Sequence, residues 1–181
     1  MNAIVVYESV YGNTRAIAEA IAEGMGGVAA LPVHEATGHD EIVDLLVVGG
    51  PTHIHGLATA RTRHLAAEAA IEDGASHIEP HATDEPGLRS WLRDLTPGAA
   101  HHAAAFDTRL DKSPWITGGA AHGIARRLRR HGIDIVATES FLVEDDQGPL
   151  EEGELDRARE WGLKLAASLP STAEKFVEAH A

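Results

Sequence analysis

Three short stretches of this chain carry groups that could hold a small polar ligand. The first is Glu8-Ser9-Val10-Tyr11-Gly12-Asn13-Thr14, set directly after the apolar run Ile4-Val5-Val6-Tyr7. Behind it Ile17, Ala18, Ile21, Ala22 and Met25 recur at helical spacing, and Gly26-Gly27 ends the pattern. The stretch is thus a turn from a strand into a helix N-terminus. Such a turn presents unpaired backbone N–H groups and the positive end of a helix dipole. The hydroxyls of Ser9 and Thr14 and the amide of Asn13 add donors, and Gly12 permits a positive φ or a close approach. Together they form a phosphate cradle without Lys or Arg. Neither the Gly-x-x-x-x-Gly-Lys-Ser/Thr pattern nor Gly-x-Gly-x-x-Gly follows the strand, which disfavours nucleoside triphosphate hydrolysis and dinucleotide binding there. An uncharged cradle suits a bound, non-reacting phosphate monoester.

The second stretch is Gly49-Gly50-Pro51-Thr52-His53-Ile54-His55-Gly56 and the third is Phe106-Asp107-Thr108-Arg109. Imidazoles at 53 and 55 titrate near neutral pH, and either ring–ligand contact or plain solvation accounts for them. His53-x-His55 and His101-His102 are chelating pairs, but no third ligand follows by spacing, so no metal is expected. Arg126, Arg127, Arg129 and Arg130 surround Leu128 on a helix, which reads as a solvated face, a docking patch or an anchor for an acidic group. Glu144-Asp145-Asp146 is a charged turn or a contact for a basic partner. Trp115 is read as a packing residue or a lid aromatic. A phospho-receiver domain would need an acidic pair after the first strand and an Asp ending the third. This chain has Glu8 alone and Gly49.

The elements that must position these stretches alternate. Strands are expected at 4–7, 28–34, 44–48 and 102–106, with an interrupted fifth at 133–136 and 141–143. Helices are expected at 17–25, 59–72, 86–95, 119–131 and 153–168, the last with Leu155, Ala158, Trp161 and Leu165 on its buried stripe. Residues 73–87 read as a loop. Ser171 and Glu174 resemble a capping box for a short terminal helix or tail over 171–181. Alternating strands and helices imply a parallel sheet with right-handed crossovers. The expected fold is α/β, a doubly wound three-layer sandwich over 1–170, with extra structure at 73–100. Open sheets of this kind bind ligands beyond the carboxyl ends of their strands, where all three stretches fall.

With 181 residues the chain can bury roughly 70% of its unfolded surface. No apolar run approaches the roughly 18 residues of a membrane span, and no signal peptide is visible. The absence of cysteine excludes disulfides, thiolate metal sites and cysteine nucleophiles. A cytoplasmic protein is expected. Fifteen basic residues against 28 acidic give a formal net charge of −13, a poor match to a phosphate backbone, so no nucleic acid partner is expected. The charge suits basic partners instead.

At its first loop the sequence resembles the flavodoxin family. Val5-Val6-Tyr7-x-Ser9-x-x-Gly12-x-Thr14-x-x-x-Ala18-x-x-Ile21 matches the family's N-terminal signature at every specified position. The second stretch resembles the family's Gly-Ser/Gly-Pro-Thr-Tyr/His loop, with His53 and His55 where many members carry larger aromatics. The segment from Phe106-Asp107-Thr108-Arg109 to Gly148-Pro149-Leu150 is similar to a group of bacterial flavodoxin-like proteins. The resemblance implies a five-stranded sheet in the order 2-1-3-4-5 and FMN as cofactor. It implies that Ser9, Val10, Tyr11, Gly12, Asn13 and Thr14 hold the phosphate. Pro51, Thr52, His53, Ile54, His55 and Gly56 would border the isoalloxazine ring, and Asp107, Thr108 and Arg109 its third side. A protonated histidine there would favour the anionic reduced flavin. The link between 143 and 153 has no room for the strand-splitting loop of long-chain members. The implied function is electron transfer between redox partner proteins, such as a reductase and an acceptor enzyme. The alternative is an FMN-dependent NAD(P)H:quinone oxidoreductase acting on a small quinone. A third reading is a flavin-free interaction domain, against which the intact loop signature argues.

Overall fold

The structure, a computed structural model, describes residues 2–36, 42–53, 56–72, 78–84, 86–111, 119–145 and 147–169. Trp115 and the tail at 171–181, with its expected capping box, lie outside the described residues. Among the described residues six strands form: β1 (Ala3–Tyr7), β2 (Ala29–Pro32), β3 (Val43–His53), β4 (Gly56–Leu57), β5 (Ala100–Leu110) and β6 (Asp134–Val143). The helices are α1 (Asn13–Gly24), α2 (Ala60–Glu72), α3 (Leu88–Asp94), α4 (Ala120–Arg130) and α5 (Glu154–Ser168). The parallel sheet runs β2-β1-β3-β5-β6, the expected doubly wound order once the two-residue β4 is set aside. β4 pairs antiparallel with the end of β3 as a small hairpin.

Strand alternation builds two cores. Ile4, Val6, Leu46 and Val48 face one side of the sheet with Leu88, Trp91, Ile124 and Leu128 of α3 and α4. Val5, Tyr7, Leu45 and Val47 face the other with Ile17, Ile21, Trp161 and Leu165 of α1 and α5. Phe106, Phe141 and Trp161 meet edge to face on that side, with centroids 6.1–6.4 Å apart. The α1–α5 contact is tight. A Cβ on Gly162 would stand 2.3 Å from the Ile21 carbonyl oxygen, and one on Gly24 would stand 2.1 Å from that of Arg159.

β3, β5 and β6 exceed the lengths read from the sequence, whereas β2 is shorter than the expected 28–34. β3 continues through Gly49-Gly50-Pro51 to His53 because β5 continues beside it, pairing Gly49 with Phe106 and Pro51 with Thr108. β6 is continuous: its polar residues Thr138, Glu139 and Ser140 pair in register with Ala105, Phe106 and Asp107, and a register irregularity falls at Val136, opposite Ala103 and Ala104. Leu155 is exposed, and the buried stripe of α5 is Glu154, Ala158, Trp161, Gly162 and Leu165. Glu154 takes the place expected for Leu155 because its carboxylate accepts the Leu142 N–H at 2.7 Å and pairs with Arg157.

Candidate functional site

The carboxyl ends of β1, β3 and β5 bring the first and third stretches into contact. Gly12 has φ 89° and stands at the N-cap of α1. No side chain caps this helix and its first turn holds no acid. The first bond of the helical ladder runs from the Ala16 N–H to the Gly12 carbonyl. The N–H groups of Asn13, Thr14 and Arg15 therefore have no partner within the helix. Ser9, buried, accepts the Gly12 N–H on its Oγ at 3.1 Å, which fixes the turn. Thr14 and Thr108 are also buried, and their hydroxyls meet at 2.8 Å between α1 and β5. The Val10 side chain is buried, and its carbonyl accepts the Glu79 N–H at 2.8 Å. Tyr11 is half-buried. The Asn13 amide is turned away from the loop's mouth and donates to the Gln147 carbonyl at 3.0 Å.

The second and third stretches divide between the faces of the sheet. Thr52 and Asp107 point toward α4. The Thr52 hydroxyl donates to Asp107 Oδ2 at 2.9 Å and accepts the Ala120 N–H at 3.0 Å, while Oδ2 also accepts the Ala121 N–H at 2.9 Å. These two side chains hold the N-terminus of α4, which no residue of its own caps. Asp107 is fully buried. Thr108 points to the opposite face, toward α1. Arg109 is half-buried and donates to the Leu110 carbonyl at 3.1 Å. Pro51 and Gly56 are half-buried on the hairpin. His53 belongs to β3, while Ile54 and His55 lie outside the described residues.

No motif or spacing marks the buried pair beside the loop. Glu8 accepts Arg63 Nη1 of α2 at 3.1 Å and the Leu88 N–H at 2.7 Å on the same carboxylate oxygen. Side-chain exposure is 5% for Glu8 and 2% for Arg63, so the pair is desolvated and held by these bonds. Arg63 stands within an Ala-rich helix, where nothing in the spacing marks it as internal. Gly87 makes room, since a Cβ there would come within 1.7 Å of the guanidinium. Residues 78–84, read as loop, close over the back of the first stretch, and Arg15 meets Glu79 at 3.3 Å.

Two cavities flank the cradle. One of about 390 Å³ lies toward β2, lined by Tyr7, Ser9, Arg15, His34, Glu79 and His81 among others. Burial, reinforced by the charge of Glu19, pushes the Tyr7 phenol up to about 12. The other, of about 460 Å³, lies toward β6 and includes Arg109, His122, Ser140 and Arg157. Hydrogen bonding to Glu154 raises the Arg157 guanidinium above its ordinary value. His102 lies at the opposite end of β5, 3.4 Å from Asp134. Among the described residues no cluster of three His, Asp or Glu could hold a metal. Nor is any described helix long and apolar enough to cross a membrane.

No family model and no curated protein matches the sequence. Solved structures match its fold. A flavodoxin from the domain Archaea is 20% identical, with a TM-score of 0.55 over 93% of this chain and 98% of that one. Flavodoxin 2 of Bacillus cereus, in its oxidised form, is 16% identical, with a TM-score of 0.55 over 93% of this chain and 100% of its own. The two-electron reduced flavodoxin of Megasphaera elsdenii is 17% identical, with a TM-score of 0.53 over 90% and 98%. The chain therefore has the fold of the flavodoxins.

Proposed function

We propose that this chain binds FMN across the carboxyl ends of β1, β3 and β5 and passes electrons between redox partner proteins. One observation carries the reading. The N-terminus of α1 is left uncapped by any side chain, is free of acids in its first turn, and is entered through Gly12 at positive φ. That end offers fixed N–H donors and the positive end of a dipole to a phosphate monoester. The residues fit the group. Ser9 holds the turn by accepting the Gly12 N–H, the backbone N–H groups of Val10, Tyr11, Asn13 and Thr14 would donate to the phosphate, and the Thr14 and Thr108 hydroxyls stand behind it. Arg63 neutralises Glu8, the one acid of the loop, and so removes a charge that would repel a dianion. Pro51, Thr52, His53, Ile54, His55 and Gly56 would border the ring, with Asp107 supporting the strand end from behind and Thr108 and Arg109 closing the third side.

When bound, FMN supplies one- and two-electron redox chemistry. The chain binds it, orients it and sets its electrostatic surroundings. The net charge of −13 steers a basic reductase or acceptor toward it.

Replacement of Thr14 tests the placement of the phosphate. Thr14→Val keeps the shape and removes the hydroxyl. It is expected to weaken FMN binding by about 1.5–3 kcal/mol, roughly ten- to a hundredfold, with the circular dichroism unchanged. Thr14→Glu adds bulk and negative charge and is expected to abolish binding. Unchanged FMN affinity in Thr14→Val, measured by fluorescence titration of the apoprotein, contradicts the placement.

A further inference from the structure

The excess of acid in this chain conceals a concentration of arginine at one place. Arg89, in the first turn of α3, reaches the foot of the β3–β4 hairpin at Leu57, and Arg127 of α4 lies beside Gly123, which Leu57 also approaches. Arg89 donates Nη2 to the Leu57 carbonyl at 2.8 Å and Nε to that of Ala58 at 3.4 Å. Arg127 folds back along α4 and donates Nη1 to the Gly123 carbonyl at 2.9 Å. Arg127 and Leu57 both border Gly123: a Cβ there would stand at ordinary contact distance from each, 3.5 Å from Arg127 Nη1 and 3.8 Å from Leu57 Cδ1. Partial burial, then the charges of Arg89, Arg126 and Arg130, pull the Arg127 guanidinium below its ordinary value.

Helix stability accounts for one member of the pair and not for the other. Cations in the last turn of α4 complement its dipole, which holds for Arg127 as for Arg129 and Arg130. Arg89 is in the first turn of α3, where the dipole opposes a cation. Arg127 is half-buried and Arg89 exposed, and like charges brought together repel one another. Each head is nonetheless fixed by backbone carbonyls, with N–H groups to spare. Arg127 uses one of its five and Arg89 uses two. Preset guanidinium forks match the oxygens of a phosphate. Screening over about 8 Å at physiological salt keeps the acidic remainder of the surface from cancelling so local a patch.

We propose that Arg89 and Arg127 form an anion site for a phosphate group, separate from the α1 N-terminus and lying at the foot of the ring-side hairpin. The site does not depend on the flavin reading. Its phosphate is either free inorganic phosphate or the phosphomonoester of a dinucleotide. The experiment follows the arginine Nε–Hε resonances of the full-length protein at low salt during titration with inorganic phosphate, NADPH and NADH. Saturable shifts of Arg89 and Arg127 with phosphate are expected. Arg127→Met should lower the affinity at least about tenfold, and Arg127→Lys should recover it in part, because it returns the charge without the fork. Arg93→Gln, at a guanidinium already paired with Asp94, should leave it unchanged. NADPH binding about tenfold tighter than both NADH and phosphate assigns the site to a dinucleotide phosphomonoester, and phosphate binding as tightly as NADPH assigns it to the free anion. Absence of a saturable shift at both arginines, or wild-type affinity in a folded Arg127→Met, overturns the proposal and leaves the pair as a latch on the hairpin.

Discussion

Glu8 and Arg63 show how a side chain can serve the loop without touching its ligand. The carboxylate is buried beneath the first stretch and is held by the guanidinium and the Leu88 N–H. Arg63→Met removes one partner of a buried pair and is expected to cost about 3–5 kcal/mol in urea denaturation. The double replacement Glu8→Gln, Arg63→Met should cost clearly less than Arg63→Met alone, because no unpaired charge is left inside. Equal losses would show that packing, not charge, is what Arg63 supplies. Tyr7 gives a second test at this scale. Its phenol titrates at about 12 instead of 10.0, so between those values the unfolded chain loses a proton that the folded chain keeps. Stability is fully present below pH 10 on this account and falls as pH rises toward 12. With only two tyrosines in the chain, phenolate absorbance can follow the group directly. Titration of both tyrosines at the unperturbed value would contradict the burial argument. The residues of the first stretch were legible because their types and order are local. The partners of Glu8 and Asp107 were not, since Arg63 and the N-terminus of α4 reach them only through the crossovers.

At the scale of elements, the periodicity of apolar residues located every helix described and all five strands of the parallel sheet. It missed their ends for a physical reason. β3 and β5 run past the last apolar residue because each satisfies the other's backbone groups as far as Pro51 and Thr108. Hydrogen bonding carries those ends, and hydrophobic pattern does not record it. The hairpin with β4 follows from the same extension. Leu155 was misread because α5 turns a buried Glu154 toward β6, an ion-pair anchor that looks like a surface position in sequence. The contact of α1 with α5 depends on the absence of side chains at Gly24 and Gly162. Gly162→Ala would drive a Cβ to 2.3 Å from a backbone oxygen, which must move the helix. A loss of about 1–3 kcal/mol is expected in denaturant unfolding despite alanine's higher helix propensity. A neutral or stabilising effect would mean that α5 sits farther from α1 than described.

The whole molecule brings opposite tendencies to one end of its sheet. The overall charge is −13, the α1 N-terminus is an uncharged cradle, and the arginines gather at the hairpin. Encounter with a basic redox partner is expected to slow as salt is added, because the attraction is screened beyond about 8 Å at physiological ionic strength. Reduction of a basic cytochrome c by the photoreduced protein, followed by stopped flow over a salt series, checks this, and a rate indifferent to salt would argue against steering by the acidic surface. The central claim is that the first loop holds a phosphate ester of flavin. Parallel titration of the apoprotein with FMN and riboflavin tests it most directly, since the two ligands differ only in the group the loop is said to bind. The account predicts FMN binding tighter than riboflavin by at least about a hundredfold, close to 3 kcal/mol. Equal affinities, or no binding of either by the folded protein, would contradict it.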